Sequence, residues 1–64
     1  MKFWIARDMN KDLALYTVKP TLYYDNYYEG TYNSEKIDLN KNMFPEVTFD
    51  NSPQMVEVKL IKND

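Results

Sequence analysis

The chain of 64 residues has no cysteine and no histidine, a single glycine and three prolines. Without cysteine there is no disulfide, no thiolate metal site and no cysteine nucleophile. Without histidine it lacks the usual general base near neutral pH and the commonest nitrogen ligand for a metal. A dominant charge is missing as well. Eight basic and ten acidic residues give a formal net charge of −2, whereas a duplex nucleic-acid binder carries a basic excess on one face. The N-terminal apolar run, Phe3-Trp4-Ile5-Ala6, spans only four residues. A secretory signal needs a longer apolar core and a membrane span about 20 residues. The expectation is a cytoplasmic protein with no membrane and no nucleic-acid partner. The absence of cysteine fits a reducing compartment.

What is present is aromatic. Six tyrosines, three phenylalanines and one tryptophan favour strands over disorder. The length sets one domain, residues 1–64, and a chain of this size buries only about 60% of its unfolded surface. Lys2–Arg7 alternates, with Phe3 and Ile5 on one face and Lys2, Trp4 and Ala6 on the other. Asp8–Asp12 is a turn, because Asp and Asn bond their own backbone. Leu13–Lys19 is the return strand, apolar on both faces as a central strand would be, and Pro20 ends it. Glu35–Leu39 forms a short strand with Ile37 and Leu39 inward. Met55–Ile61 closes the sheet through Val56, Val58 and Leu60.

Two stretches are less regular. In Thr21–Tyr32, Asp25-Asn26 between tyrosine pairs predicts a tight turn with Asn26 at positive φ, and Gly30 marks a further turn or bulge, so the segment reads as a short, mobile hairpin or as an irregular strand with a long loop. Met43–Phe49 does not alternate. Its aromatics flank Pro45 and predict a plug at the end of the sheet, with the Phe44 ring buried and at most one short helical turn near 43–47. The fold class expected is mainly β: a small antiparallel sheet of four to five strands, curved or partly closed. Its core would hold Phe3, Ile5, Leu13, Leu15, Ile37, Leu39, Phe44, Val47, Val56, Val58 and Leu60.

Ile5-Ala6-Arg7-Asp8, Leu13-Ala14-Leu15-Tyr16, Lys19-Pro20, Phe44-Pro45-Glu46-Val47-Thr48-Phe49 and Ser52-Pro53-Gln54-Met55-Val56-Glu57-Val58 together resemble a group of small uncharacterised proteins. These occur in gut Bacteroides-type bacteria and in their phages and mobile elements. The resemblance covers both ends of the chain, and the tyrosine-rich middle is where such proteins differ in length. Many of them carry an Asp-Gly type turn where this chain has Asn10-Lys11-Asp12. The resemblance implies a bacterial or phage setting and no activity.

No residue pattern points to catalysis, a cofactor or a metal. Asp8-x-Asn10-x-Asp12 opens like a calcium loop, but the glycine and glutamate that such a loop needs are replaced by Leu13 and Lys19. Ser34 and Ser52 have no histidine to activate them. The carboxylates Asp25 and Glu29 would need a pocket that shifts their pKa values. Trp4 and the tyrosines could stack on bases, but no Lys or Arg lies between Pro20 and Glu35, and single-strand binding needs a positive groove. A protein partner fits better, because Tyr is enriched in interface hot spots. The expected binding surface is Tyr23, Tyr24, Asp25, Tyr27, Tyr28 and Glu29, with one member of each tyrosine pair packed inward. Two functions follow. One is a non-catalytic interaction module, an inhibitor or regulator; the other is a structural subunit of a homo-oligomer.

Overall fold

The computed structural model describes residues 1–58. Among them are six strands and no helix, hence no helix long and apolar enough to cross a membrane. The strands are β1 (Lys2–Arg7), β2 (Leu13–Tyr16), β3 (Thr21–Tyr23), β4 (Tyr27–Glu29), β5 (Lys36–Leu39) and β6 (Gln54–Glu57). Four make one antiparallel sheet in the order β5-β2-β1-β6, and β3 and β4 form a separate hairpin. The sheet is all-antiparallel but does not close into a barrel, so β5 and β6 remain edges. As expected from its two apolar faces, β2 is an inner strand.

Strand register divides the sheet into two apolar surfaces. Ile5 lies opposite Leu15, Arg7 opposite Leu13, and Leu13 opposite Leu39, so these residues share one face with Phe3 and Val56. Trp4 opposite Tyr16 and Ala6 opposite Ala14 define the other. Directly opposed residues point the same way, and neighbours along a strand point to opposite faces. Each face has its own core. On the first, Ile5, Leu13 and Val47 are buried, with Leu15, Leu39 and Val56 packed on them. On the second, Ala6, Ala14, Tyr16 and Tyr28 are buried, with Trp4 and Phe49 alongside. Loop 40–47 covers the first face through Val47; the β3–β4 hairpin covers the second through Tyr28.

This layout changes the expected core. Phe3, Leu15, Leu39 and Val56 are half-buried, and Ile37, Phe44 and Val58 are exposed. Leu60 and the rest of the expected closing strand beyond Val58 lie outside the described residues. Phe44 is the clearest correction. The residue is 44% exposed, in a turn where its backbone takes the left-handed conformation, φ 48°, and it lies at the wall of an open cavity beside Ile5, Leu15 and Val56 without filling it. Only a single turn forms there, closed by Val47 N–H on the Phe44 carbonyl (2.9 Å).

What seals that end is Arg7, which is only 9% exposed. Its guanidinium donates to five backbone carbonyls: Nε to Val47 (2.5 Å), Nη1 to Lys11 (2.9 Å) and Lys41 (3.0 Å), Nη2 to Met43 (2.9 Å) and Phe44 (3.1 Å). The planar fork of arginine suits several acceptors at once. The loop is thus held by hydrogen bonds to a buried cation and not by an aromatic ring. The expected return strand also shortens. It stops at Tyr16, after which Thr17 N–H bonds the Glu35 carbonyl (3.1 Å) and the chain turns away.

Candidate functional site

Of the two readings of Thr21–Tyr32, a short hairpin or an irregular strand with a long loop, the hairpin is the one that forms. Thr21 lies opposite Glu29, Leu22 opposite Tyr28, and Tyr23 opposite Tyr27. Its turn is not the expected Asp25-Asn26 pair. Tyr24 (φ 50°) and Asp25 (φ 56°) take the left-handed conformation, and Asn26 N–H closes the turn on the Tyr23 carbonyl (3.1 Å). Two successive positive φ values are what a primed turn needs to match strand twist. Gly30 does not have positive φ; a Cβ there would meet Ser34 Oγ, the movable end of a side chain that would have to turn aside.

The register sorts the tyrosines. Leu22 and Tyr28 share the inner face, while Tyr23 and Tyr27 share the outer face. Tyr28 is buried against Tyr16 and Phe49, its hydroxyl donating to the Ser52 carbonyl (2.8 Å). It therefore belongs to the core and leaves the expected binding set. The other five expected residues are together at the surface, so Tyr23-Tyr24 does not turn one member inward as expected; Tyr24 sits in the turn itself and both rings of that pair are exposed. Tyr23 and Tyr27 stack with ring centres 6.0 Å apart, and Tyr24 meets Tyr27 at the same distance, 6.0 Å. Tyr24 is 82% exposed, and Asp25 and Glu29 are exposed beside the rings.

The hairpin is fixed by Asp8, a contact that composition and spacing alone do not reveal. Asp8 Oδ1 accepts the Tyr28 N–H (2.8 Å), and Met9 N–H donates to the Asn26 carbonyl (2.8 Å). Tyr16 completes the anchorage by donating its hydroxyl to the Tyr28 carbonyl (3.0 Å). Between hairpin and turn lies a cleft of about 540 Å³, lined by Asp8, Met9, Asn10, Asn26, Tyr27 and Glu29 among others. Its rim is acidic apart from Lys36.

The tyrosine hydroxyls are all held protonated more firmly than usual where a shift is resolved. Burial pushes Tyr16 up to about 12, with the charges of Asp8, Asp38 and Glu29 adding to it. Tyr28 is raised by burial, then by Asp8 and Asp50. Tyr27 is raised by loss of solvent, then by Glu29 and its neighbours Tyr24 and Tyr23. At neutral pH the surface thus offers phenol O–H donors beside carboxylates. Among the described residues no three acidic groups come close enough to hold a metal.

The chain matches no protein-family model, no curated protein and no solved structure.

Proposed function

We propose that the protein is a small non-catalytic interaction module that works in a bacterial or phage setting, in the cytoplasm, as an inhibitor or regulator of another protein. The observation that carries this reading is the division of labour in the hairpin. Tyr28 supplies the packing, so the stacked cluster of Tyr23, Tyr24 and Tyr27 has no structural duty that requires three rings at the surface. Aromatic rings lose little side-chain entropy on binding and cluster in interface hot spots. Asp25 and Glu29 set the charge of the rim, and the partner surface that complements it carries Lys or Arg. The same acidity disfavours a phosphate backbone. A structural subunit of a homo-oligomer is the second reading. It rests on a different part of the fold, the free edge of β5.

The test is a triple variant, Tyr23→Ser/Tyr24→Ser/Tyr27→Ser, compared with wild type in affinity capture from bacterial lysate. The expected result is a melting temperature within a few degrees of wild type together with loss of the proteins that wild type retains. Asp25→Lys/Glu29→Lys should lose the same proteins. Equal retention by wild type and both variants would remove the tyrosine surface from consideration.

A further inference from the structure

The outer edge of β5 is chemically self-complementary. Thr17 N–H bonds the Glu35 carbonyl, and Glu35 N–H bonds Thr17 Oγ1, so the backbone groups of Glu35 point toward β2. Along a strand these groups alternate sides. The N–H and C=O groups of Ile37 and Leu39 therefore also face β2, and those of Lys36 and Asp38 face outward. Among the described residues no other strand pairs with them. An edge of this kind is a template for another strand unless something prevents pairing.

We propose that this edge pairs with the β5 edge of a second copy, antiparallel across a two-fold axis at Ile37, to give one continuous sheet. A two-fold axis brings the same patch of both copies together. Registers that use the outward groups set Lys36 against Lys36, Lys36 against Asp38, or Asp38 against Asp38. The first and last oppose like charges, which destabilises a cross-strand pair. The middle register places each Lys36 opposite Asp38 of the partner subunit, with both residues presenting free backbone groups. It also puts Ile37, which is 47% exposed, directly against Ile37 of the partner subunit. That pair falls at the non-hydrogen-bonded position, where side chains approach most closely.

In the single chain Lys36 Nζ already lies 3.7 Å from Asp38 Oδ1, with both side chains open to solvent. Pairing exchanges this contact for the same contact between copies and buries no unpaired charge. The opposite edge, β6, lacks this property. The Val58 N–H to Met1 carbonyl bond puts Met55 and Glu57 on its outward side, and among the described residues of this edge no cation alternates with Glu57. The β5 interface is short, so the expected affinity is micromolar. It also uses none of the residues of the tyrosine hairpin.

Sedimentation across a wide concentration range tests the pairing, with Lys36→Asp and Asp38→Lys as separate variants. Wild type should pass from monomer to dimer with rising concentration. Each variant alone should remain monomeric, since it opposes like charges. An equal mixture of the two should form a one-to-one heterodimer, because all four facing positions are then complementary. The Tyr23→Ser/Tyr24→Ser/Tyr27→Ser variant should dimerise like wild type, which separates this interface from the tyrosine surface. Wild type that stays monomeric throughout, variants that dimerise alone, a mixture that stays monomeric, or dimerisation lost with the tyrosines would each overturn the proposal.

Discussion

Replacing Arg7 by methionine is the sharpest perturbation the fold offers. Methionine keeps much of the aliphatic stem and removes the five donors that hold loop 40–47 and the turn at Lys11. A hydrogen bond to a charged group contributes about 1.5–3 kcal/mol net, and a buried acceptor left alone costs about 1–3 kcal/mol. The five do not add. Once the fork is gone, most of these carbonyls can turn to water by letting the loop open, and only the Val47 carbonyl is held in a buried bond. The loss is then capped by the loop and by the Val47 packing that goes with it, about 3–5 kcal/mol. That is close to the whole stability of a domain this small. Lysine would keep the charge but not the fork, so Arg7→Lys should recover only a minor part. Because the partners are dipoles and not carboxylates, added salt should not reproduce the effect. Urea unfolding followed by circular dichroism measures it. If Arg7→Met unfolds within about 1 kcal/mol of wild type, the guanidinium does not hold the loop, and the account of this end of the sheet is wrong.

Two further outcomes follow from the cores. Val47→Ala should destabilise by about 2 kcal/mol, whereas Phe44→Ala, at a half-exposed ring, should cost about 1 kcal/mol or less by thermal denaturation; the reverse order would restore the aromatic plug. Tyr16 has its hydroxyl raised from the ordinary value near 10 to about 12 in the folded state. Between those values the unfolded chain releases its proton and the folded chain keeps it, so stability is full below about pH 10 and falls as pH rises toward 12. Tyr16→Phe should flatten this alkaline decline in urea titrations, and an unchanged slope would place the titration elsewhere.

The alternation of Phe3 and Ile5, and the doubly apolar character of Leu13–Tyr16, made β1 and β2 readable in advance, because a strand buried on one or both faces carries that pattern directly. Ile5 and Leu13 were recognisable as core for the same reason, and Val47 as part of the apolar stretch Met43–Phe49 between two turns. The second core was not. It rests on Ala6 and Ala14, whose small side chains leave room for the Tyr16 and Tyr28 rings, and alanine carries little pattern signal. That Tyr28 and not Tyr27 turns inward depends on a register fixed by Asp8 and by Met9, contacts distant in sequence. The burial of Arg7 was illegible for a related reason. Its partners are backbone carbonyls, which every residue has. Phe44 misled because a bulky apolar side chain ordinarily goes inside, whereas here it stands in a turn with positive φ and stays 44% exposed. That Tyr27 and Tyr28 point to opposite faces was readable, since adjacent residues in extended chain must do so; the rule does not reach Tyr23 and Tyr24, because the turn takes Tyr24 out of the strand and leaves both exposed.

Val47 belongs to the core on one face of the sheet and Phe49 packs on the core of the other, with only Thr48 between them. The chain steps past the end of β1 here, tied by Ser52 Oγ, which accepts the Arg7 N–H (2.9 Å) and donates to the Thr48 carbonyl (2.5 Å). A one-residue spacer fixes how far apart the two side chains can sit, and so matches the thickness of the sheet that they straddle. Length variation is therefore not tolerated equally along this chain. An extra residue at the exposed turn of Tyr24-Asp25 would lengthen a tip in solvent, as loop tips commonly allow. An extra residue between Val47 and Phe49 would move one of the two out of its core whichever way the chain adjusted. A residue inserted at Tyr24-Asp25 should accordingly leave the melting temperature nearly unchanged, and one inserted between Val47 and Phe49 should lower it sharply.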